Sequence, residues 1–150
     1  MADVLAIRPK RSDVRIFAVP SPLQCSALDY RSSFSRAVEV VTPELRCLYI
    51  SGTASIEPGG KTAFVDDVRK QIELSMDVLH AILTSRGMDW GDVSRAIAYF
   101  RNMSSAAEFT AYCREHNIPQ FPCAVSHADI CRDDLLFEIE ADAMTTRPMP

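Results

Sequence analysis

The residues best suited to chemistry lie toward the end of the sequence. Between positions 135 and 143, Leu135, Phe137, Ile139, Ala141 and Ala143 alternate with Leu136, Glu138, Glu140 and Asp142. A strand points successive side chains to opposite faces, so this pattern sets three acids on one face and a continuous apolar row on the other. Glu138 is flanked by Phe137 and Ile139. If it is shielded from water its carboxyl keeps its proton, and a neutral acid can protonate an enol carbon or position a water for attack. The plain alternative is three acids facing solvent. Glu140 is two residues on, about 6.6 Å along a strand, too far to share that proton directly.

Other reactive types gather just upstream. His127 and Cys131 together suggest a base and a thiol, but free cysteines mostly fill space, and a thiolate needs a base or cation beside it. Arg101 and Arg132 are cations that either hold a carboxylate or cap a strand end in solvent. Ser51-Gly52-Thr53 closes an apolar stretch, where glycine lets the backbone approach a ligand and offer N–H donors, or simply forms a tight bulge. His80 and His116 have no partner at ligand spacing. No metal site, phosphate loop or nucleotide motif is visible.

These residues need a scaffold, and the 150-residue chain is long enough for one domain. With 47% hydrophobic and 24% charged residues it has the balance of a folded globular protein. A net charge of −4 argues against a nucleic-acid binder held by a general basic field, and no apolar run reaches membrane-spanning length. Met1-Ala2-Asp3-Val4 lacks the basic start and apolar core of a secretory signal, so a cytoplasmic location is expected. The five cysteines, Cys25, Cys47, Cys113, Cys123 and Cys131, contain no CxxC pair and read as free thiols in a reducing compartment.

Residues 1–33 read as an N-terminal extension with one short edge strand around Val14, Ile16 and Ala18. Residues 34–150 form the domain proper. Phe34–Val41 and Arg46–Ser55, split by Thr42-Pro43-Glu44, suit a hairpin. Glu57-Pro58-Gly59-Gly60 is a turn. Val68, Ile72, Met76, Leu79 and Leu83 recur at helical spacing within 66–86, with Asp66 or Asp67 as cap and Gly87 as terminator. Val93–Arg101 is a strand buried on both faces, with Val93, Ile97 and Tyr99 on one parity. Ser105-Ala106-Ala107-Glu108 has the spacing of a capping box opening a second helix to about Glu115. Cys123–Ile130 is a further strand. The order β-β-α-β-α-β-β predicts an α+β fold: one mixed sheet with two helices on one face. The other face is too apolar to remain wet, so a partner chain is expected there.

Tyr49-Ile50-Ser51-Gly52-Thr53, the long helix ending at Gly87, Asp92-Val93 and Phe137-Glu138-Ile139-Glu140-Ala141, in this order, resemble the RidA (YjgF/YER057c/UK114) superfamily over about residues 34–145. The resemblance implies a chorismate-mutase-like protomer and a homotrimer whose three sheets form a central β-barrel. It also implies clefts between subunits that take small molecules. Many members are enamine or imine deaminases. Others carry the older labels of translation inhibitor or L-PSP endoribonuclease. Glu138 aligns with the family's catalytic acid.

One branch is closer in pattern. Ser51-Gly52-Thr53-Ala54-Ser55-Ile56 and His127-Ala128-Asp129-Ile130-Cys131-Arg132, followed by Leu136 and Glu138-Ile139-Glu140, are similar to the C-terminal half of chorismatases. Those enzymes hydrolyse the enol-ether side chain of chorismate and are about twice as long. In the chorismatase-like pattern His127 and Cys131 face the cleft, Tyr30 and Arg31 precede the first strand where chorismatases also place cleft residues, and Ser51, Gly52, Thr53 and Ala54 are candidates to bind substrate. The deaminase arginine falls on Cys123 or Ala124 of Phe121-Pro122-Cys123-Ala124-Val125, where no cation stands. Arg101 or Arg132 is a candidate to replace it. The resulting expectation is a trimeric hydrolase of an enol, enamine or imine metabolite, or of a small carboxylate related to them. It needs no metal or organic cofactor and has no nucleic-acid or membrane partner. The alternatives are a metabolite-binding protein without catalysis and, further off, the RNA-directed role of the older labels.

Overall fold

The computed structural model describes residues 7–148, so the Met1–Val4 start lies outside the described residues. Its strands are β1 (Arg15–Val19), β2 (Ala37–Val41), β3 (Arg46–Ala54), β4 (Val93–Phe100), β5 (Cys123–His127) and β6 (Phe137–Thr145). Two helices, α1 (Val68–Ser85) and α2 (Ala106–Glu115), join them. The six strands make one sheet in the order β1-β2-β3-β6-β4-β5. All neighbours are antiparallel except β4 and β5, which run parallel. Both helical crossovers, β3-α1-β4 and β4-α2-β5, step the same way along the sheet. With the same hand they place both helices on one face.

That face holds the core. Ile72, Met76, Leu79, Ile82 and Leu83 of α1 and Phe109 and Tyr112 of α2 pack on Leu48, Ile50, Ala96, Ala98, Phe100, Phe137, Ile139, Ala141 and Ala143. Asp67 caps α1 by accepting from the Lys70 N–H. Gly87, at a φ of 64°, takes the left-handed turn that ends it. The opposite face carries half-buried Val38, Tyr49, Ile97 and Tyr99 beside Glu138, Glu140 and Asp142. Arg95 bridges the last two acids at 2.7 and 3.3 Å.

One charged cluster lies inside. Glu39 is fully buried and meets Arg46 at 2.6 Å and Arg86 at 2.5 Å. Arg46 also donates to the carbonyls of Arg86, Arg147 and Pro148. The cluster thus ties the end of α1 and the tail to the β2–β3 hairpin. Among the described residues no helix is long and apolar enough to cross a membrane.

Three local expectations need correction. The capping box at Ser105–Glu108 does not form. Ser105 already has helical angles and caps nothing, because the 3-10 turn Met103–Ser105 precedes α2 and Asn102 caps that turn. Val93 does not share a face with Ile97 and Tyr99. An irregularity between Val93 and Arg95 inserts a residue and turns Val93 into the core. The strand expected over Cys123–Ile130 ends at His127, beyond which the chain leaves the sheet.

Candidate active site

The site begins with a defect in β3. Its pairing with β6 is regular to Ile50↔Ala141 and resumes at Thr53↔Ile139 and Ala54↔Glu138, so Ser51 and Gly52 form a bulge. The bulge opens space on the polar face of β6, and the Glu138 side chain fills it. A Cβ built on Gly52 would overlap the Glu138 carboxyl, so only glycine admits this approach. On the other side Tyr99 of β4 is the register partner of Glu138. Burial, and after it the neighbouring Glu140 carboxylate, holds the Glu138 carboxyl above the ordinary glutamate range. Burial likewise raises the Tyr99 phenol.

A cleft of about 600 Å³ opens over this acid. One wall is the segment 128–135, whose path is fixed from behind. Arg101, at the end of β4, donates to the carbonyls of Ile130, Arg132 and Leu135 at 3.1, 2.8 and 2.9 Å. The buried Gln71 amide donates to the Asp134 carbonyl and accepts from the Leu136 N–H. Ile130 and Leu135 pack on Ala54 and Ile56 beneath. This wall presents Cys131 and Arg132 to the cleft. Burial, then the charge of Glu138, raises the Cys131 thiol, so the environment favours the neutral thiol over the thiolate.

The facing wall comes from the segment before β2. Tyr30, Phe34 and Arg36 line it. Arg36 is 5% exposed. Its guanidinium lies 5.3 Å from the Tyr30 ring centre and 5.4 Å from that of Phe34, and its Nε donates to the Cys25 carbonyl at 3.0 Å. Arg132 reaches the same Tyr30 ring at 5.3 Å while its Nη1 donates to the Gly60 carbonyl. Burial raises the Tyr30 phenol, opposed by the positive charge of Arg36.

Of the residues singled out in the sequence, Glu138, Ser51, Gly52, Ala54, Cys131 and Tyr30 line this cleft, and Arg132 and Glu140 join them. The others lie elsewhere. Thr53 is 1% exposed, and its hydroxyl donates to the Ser51 carbonyl. Arg101 works behind the wall rather than in front of it. Cys123 packs against the core from β5, and Ala124 is exposed on that strand. His127 is exposed, with its Nε2 on the Arg101 carbonyl at 3.1 Å. Arg36, Phe34 and Tyr99 escaped the sequence reading. For Phe34 and Arg36 the only signal was an aromatic and an arginine at the threshold of an apolar strand, while Tyr99 was placed in its strand but not in the site. Among the described residues no group of three or more His, Cys, Asp or Glu is placed to hold a metal ion.

Comparison with known proteins agrees with this architecture. The family model for endoribonuclease L-PSP matches residues 25–145. A chorismatase from Streptomyces rapamycinicus is 31% identical over 118 residues, covering 71% of this chain and 35% of that protein. A 3-hydroxybenzoate synthase from Streptomyces hygroscopicus is 30% identical over 119 residues, covering 73% and 34%. The chain thus spans about a third of the length of these relatives. Among solved structures, a chorismatase superposes with a TM-score of 0.73 at 25% identity, over 86% of this chain and 44% of that one. Escherichia coli TdcF with bound serine gives 0.68 at 19%, over 86% and 98%.

Proposed function

This chain belongs to the endoribonuclease L-PSP family, and on that premise we propose that it is a chorismatase-like hydrolase of a small enol, enamine or imine metabolite. The observation that carries the reading is Glu138: a shielded carboxyl with a raised pKa, seated on a glycine bulge at the floor of a cleft. In the protonated form it delivers its proton to the terminal carbon of an enol ether or enamine. The adjoining carbon becomes an oxocarbenium or iminium centre, and water adds there. Collapse of the adduct releases a ketone and an alcohol or amine, and the proton lost from the added water restores the acid. No step draws on a metal or organic cofactor.

In the same reading the chain is a cytoplasmic homotrimer, with neighbouring sheets covering the half-apolar face and closing the cleft. Residues 1–33 are an extension of the 34–150 domain that lends Tyr30 to the site. Support for catalysis comes from the relatives at about 30% identity, one a chorismatase and one a 3-hydroxybenzoate synthase. The test is turnover of chorismate and of short-chain enamines and imines by wild type and Glu138→Gln. Loss of product with retained folding supports the reading, and equal rates refute it.

One observation favours a second reading. Neither Cys123 nor Ala124 offers a cation where the deaminases of the resembling family keep an arginine. A protein that binds such metabolites without converting them shows ligand-dependent melting shifts and no product in the same screen.

A further inference from the structure

Among the described residues two arginines are buried, and only one of them has its charge answered; the other, Arg36, donates its Nε to the Cys25 carbonyl. Arg46, 3% exposed, holds Glu39 and three carbonyls. Arg101 is spent on three loop carbonyls. Arg36 is nearly as deep as Arg46, yet no carboxylate pairs with it among the described residues. Its Nη2 is buried without any hydrogen-bond partner there. A buried guanidinium left in that state is strongly unfavourable, and such groups are retained where an anion completes them.

The surroundings say where that anion sits. Arg36 lines the cleft. Arg132 enters from the opposite wall, over the same Tyr30 ring, and it too has no carboxylate partner among the described residues. Tyr30 and Phe34 supply flat apolar surface against the Arg36 guanidinium, leaving the donor edge of its plane for hydrogen bonds. The distance to the acid is short. The Arg36 carbonyl accepts from the Ser51 N–H, and the next residue, Gly52, lies against Glu138. Arg36 lies opposite Ser51 and Glu138 opposite Ala54, so the two backbones are two strand spacings, about 10 Å, apart across the sheet and a few residues apart along it, and the Glu138 side chain leans back over Gly52 toward Arg36. A small organic acid spans that gap with its carboxylate at one end and its reacting carbon at the other.

We propose that Arg36 and Arg132, over the Tyr30 ring, are the carboxylate seat of the cleft and supply the cation that Cys123 and Ala124 do not. The assignment deepens the hydrolase reading and rests on it for the identity of the reacting carbon. A guanidinium edge pairs carboxylate and phosphate alike with two parallel hydrogen bonds, so the preference for a planar organic carboxylate comes from the flat apolar surface of Tyr30 and Phe34 beside the seat.

The experiment titrates benzoate, pyruvate and inorganic phosphate into wild type, Arg36→Met, Arg132→Gln and Glu138→Gln by calorimetry, with KM for chorismate measured in parallel. The expected result is carboxylate binding by wild type that is kept in Glu138→Gln, falls 10- to 100-fold in Arg36→Met and falls several-fold in Arg132→Gln. Arg36→Met without ligand is expected to melt no lower than wild type, because an unanswered buried charge has been removed. A structural arginine would instead lower the melting temperature and leave affinity unchanged. Should Arg36→Met fail to fold, Arg132→Gln, altered at the rim, decides the question alone. Overturning results are no carboxylate binding by wild type, phosphate bound in preference, or affinity and KM unmoved by the arginine variants. Arg36-dependent binding without turnover by wild type would uphold the seat and reject the hydrolase. Turnover with KM indifferent to Arg36 would do the reverse.

Discussion

The Glu138 carboxyl occupies the space that a side chain at position 52 would need. The β3 bulge and the catalytic candidate on β6 are therefore one device. The missing side chain of Gly52 lets the acid lie against backbone and partly out of water, and that burial favours its protonated form.

Gly52→Ala is the direct test of this pairing. The added methyl must displace the carboxyl, and a misplacement of about 1 Å lowers turnover by roughly 100-fold. Carboxylate affinity is expected to change little. In a double-mutant cycle with Glu138→Gln the two losses should be strongly non-additive. Steady-state kinetics on the four proteins provides the comparison.

The raised Glu138 pKa has a consequence for stability. The native state holds this proton more tightly than the unfolded chain does, so the associated stabilisation is complete below the ordinary glutamate pKa. It is lost as pH rises through the elevated native value. Glutamine never ionises. Glu138→Gln is therefore expected to melt higher than wild type at pH 7–8, by roughly 1–3 °C, with the difference vanishing near pH 4. Thermal melts across that range give the answer.

Cys131 is expected to be a poor nucleophile at neutral pH, because burial and Glu138 both raise its thiol. Cys131→Ser should keep turnover within a few-fold of wild type. Alkylation of Cys131 by iodoacetamide at pH 8, followed peptide by peptide, should quicken in Glu138→Gln, where the larger of the two electrostatic causes that raise it is gone.

The Glu39–Arg46–Arg86 cluster is expected to matter for folding and not for chemistry. Arg46→Met removes the better buried of the two cations on Glu39. Breaking a buried pair from one side costs about 3 kcal/mol. Urea unfolding should register that loss while ligand affinity in the surviving folded protein stays unchanged.

The proposed trimer is tested at the open sheet face. Wild type is expected to sediment as three chains, and Ile97→Glu, which plants a charge amid half-buried Val38, Tyr49 and Tyr99, as one. A wild type that sediments as a single chain would remove the closed cleft from the functional reading.

Much of this molecule was legible because periodicity is local. The α1 stripe from Val68 to Leu83 and the acid–aliphatic alternation of β6 depend only on neighbours in sequence, and both are found where the pattern put them. Single-residue insertions are where parity reasoning failed. The Ser51–Gly52 bulge turns Thr53 away from the face that alternation assigns it, and the irregularity after Val93 does the same in β4. Nor could spacing show that Arg101 faces backward into loop carbonyls, since those carbonyls lie about thirty residues away. Arg36 was missed for a related reason. Its significance lies in what it lacks, and an absent partner leaves no mark on a sequence.

The bracing of residues 130–135 by Arg101 and Gln71 bears on how substrates are chosen. A wall pinned at four carbonyls has its contour before any guest arrives. In the proposed function, recognition then proceeds by shape rather than by adaptation. A descendant of this protein that acquired a new metabolite would do so by exchanging the few side chains on that contour, with the path of the chain beneath them conserved.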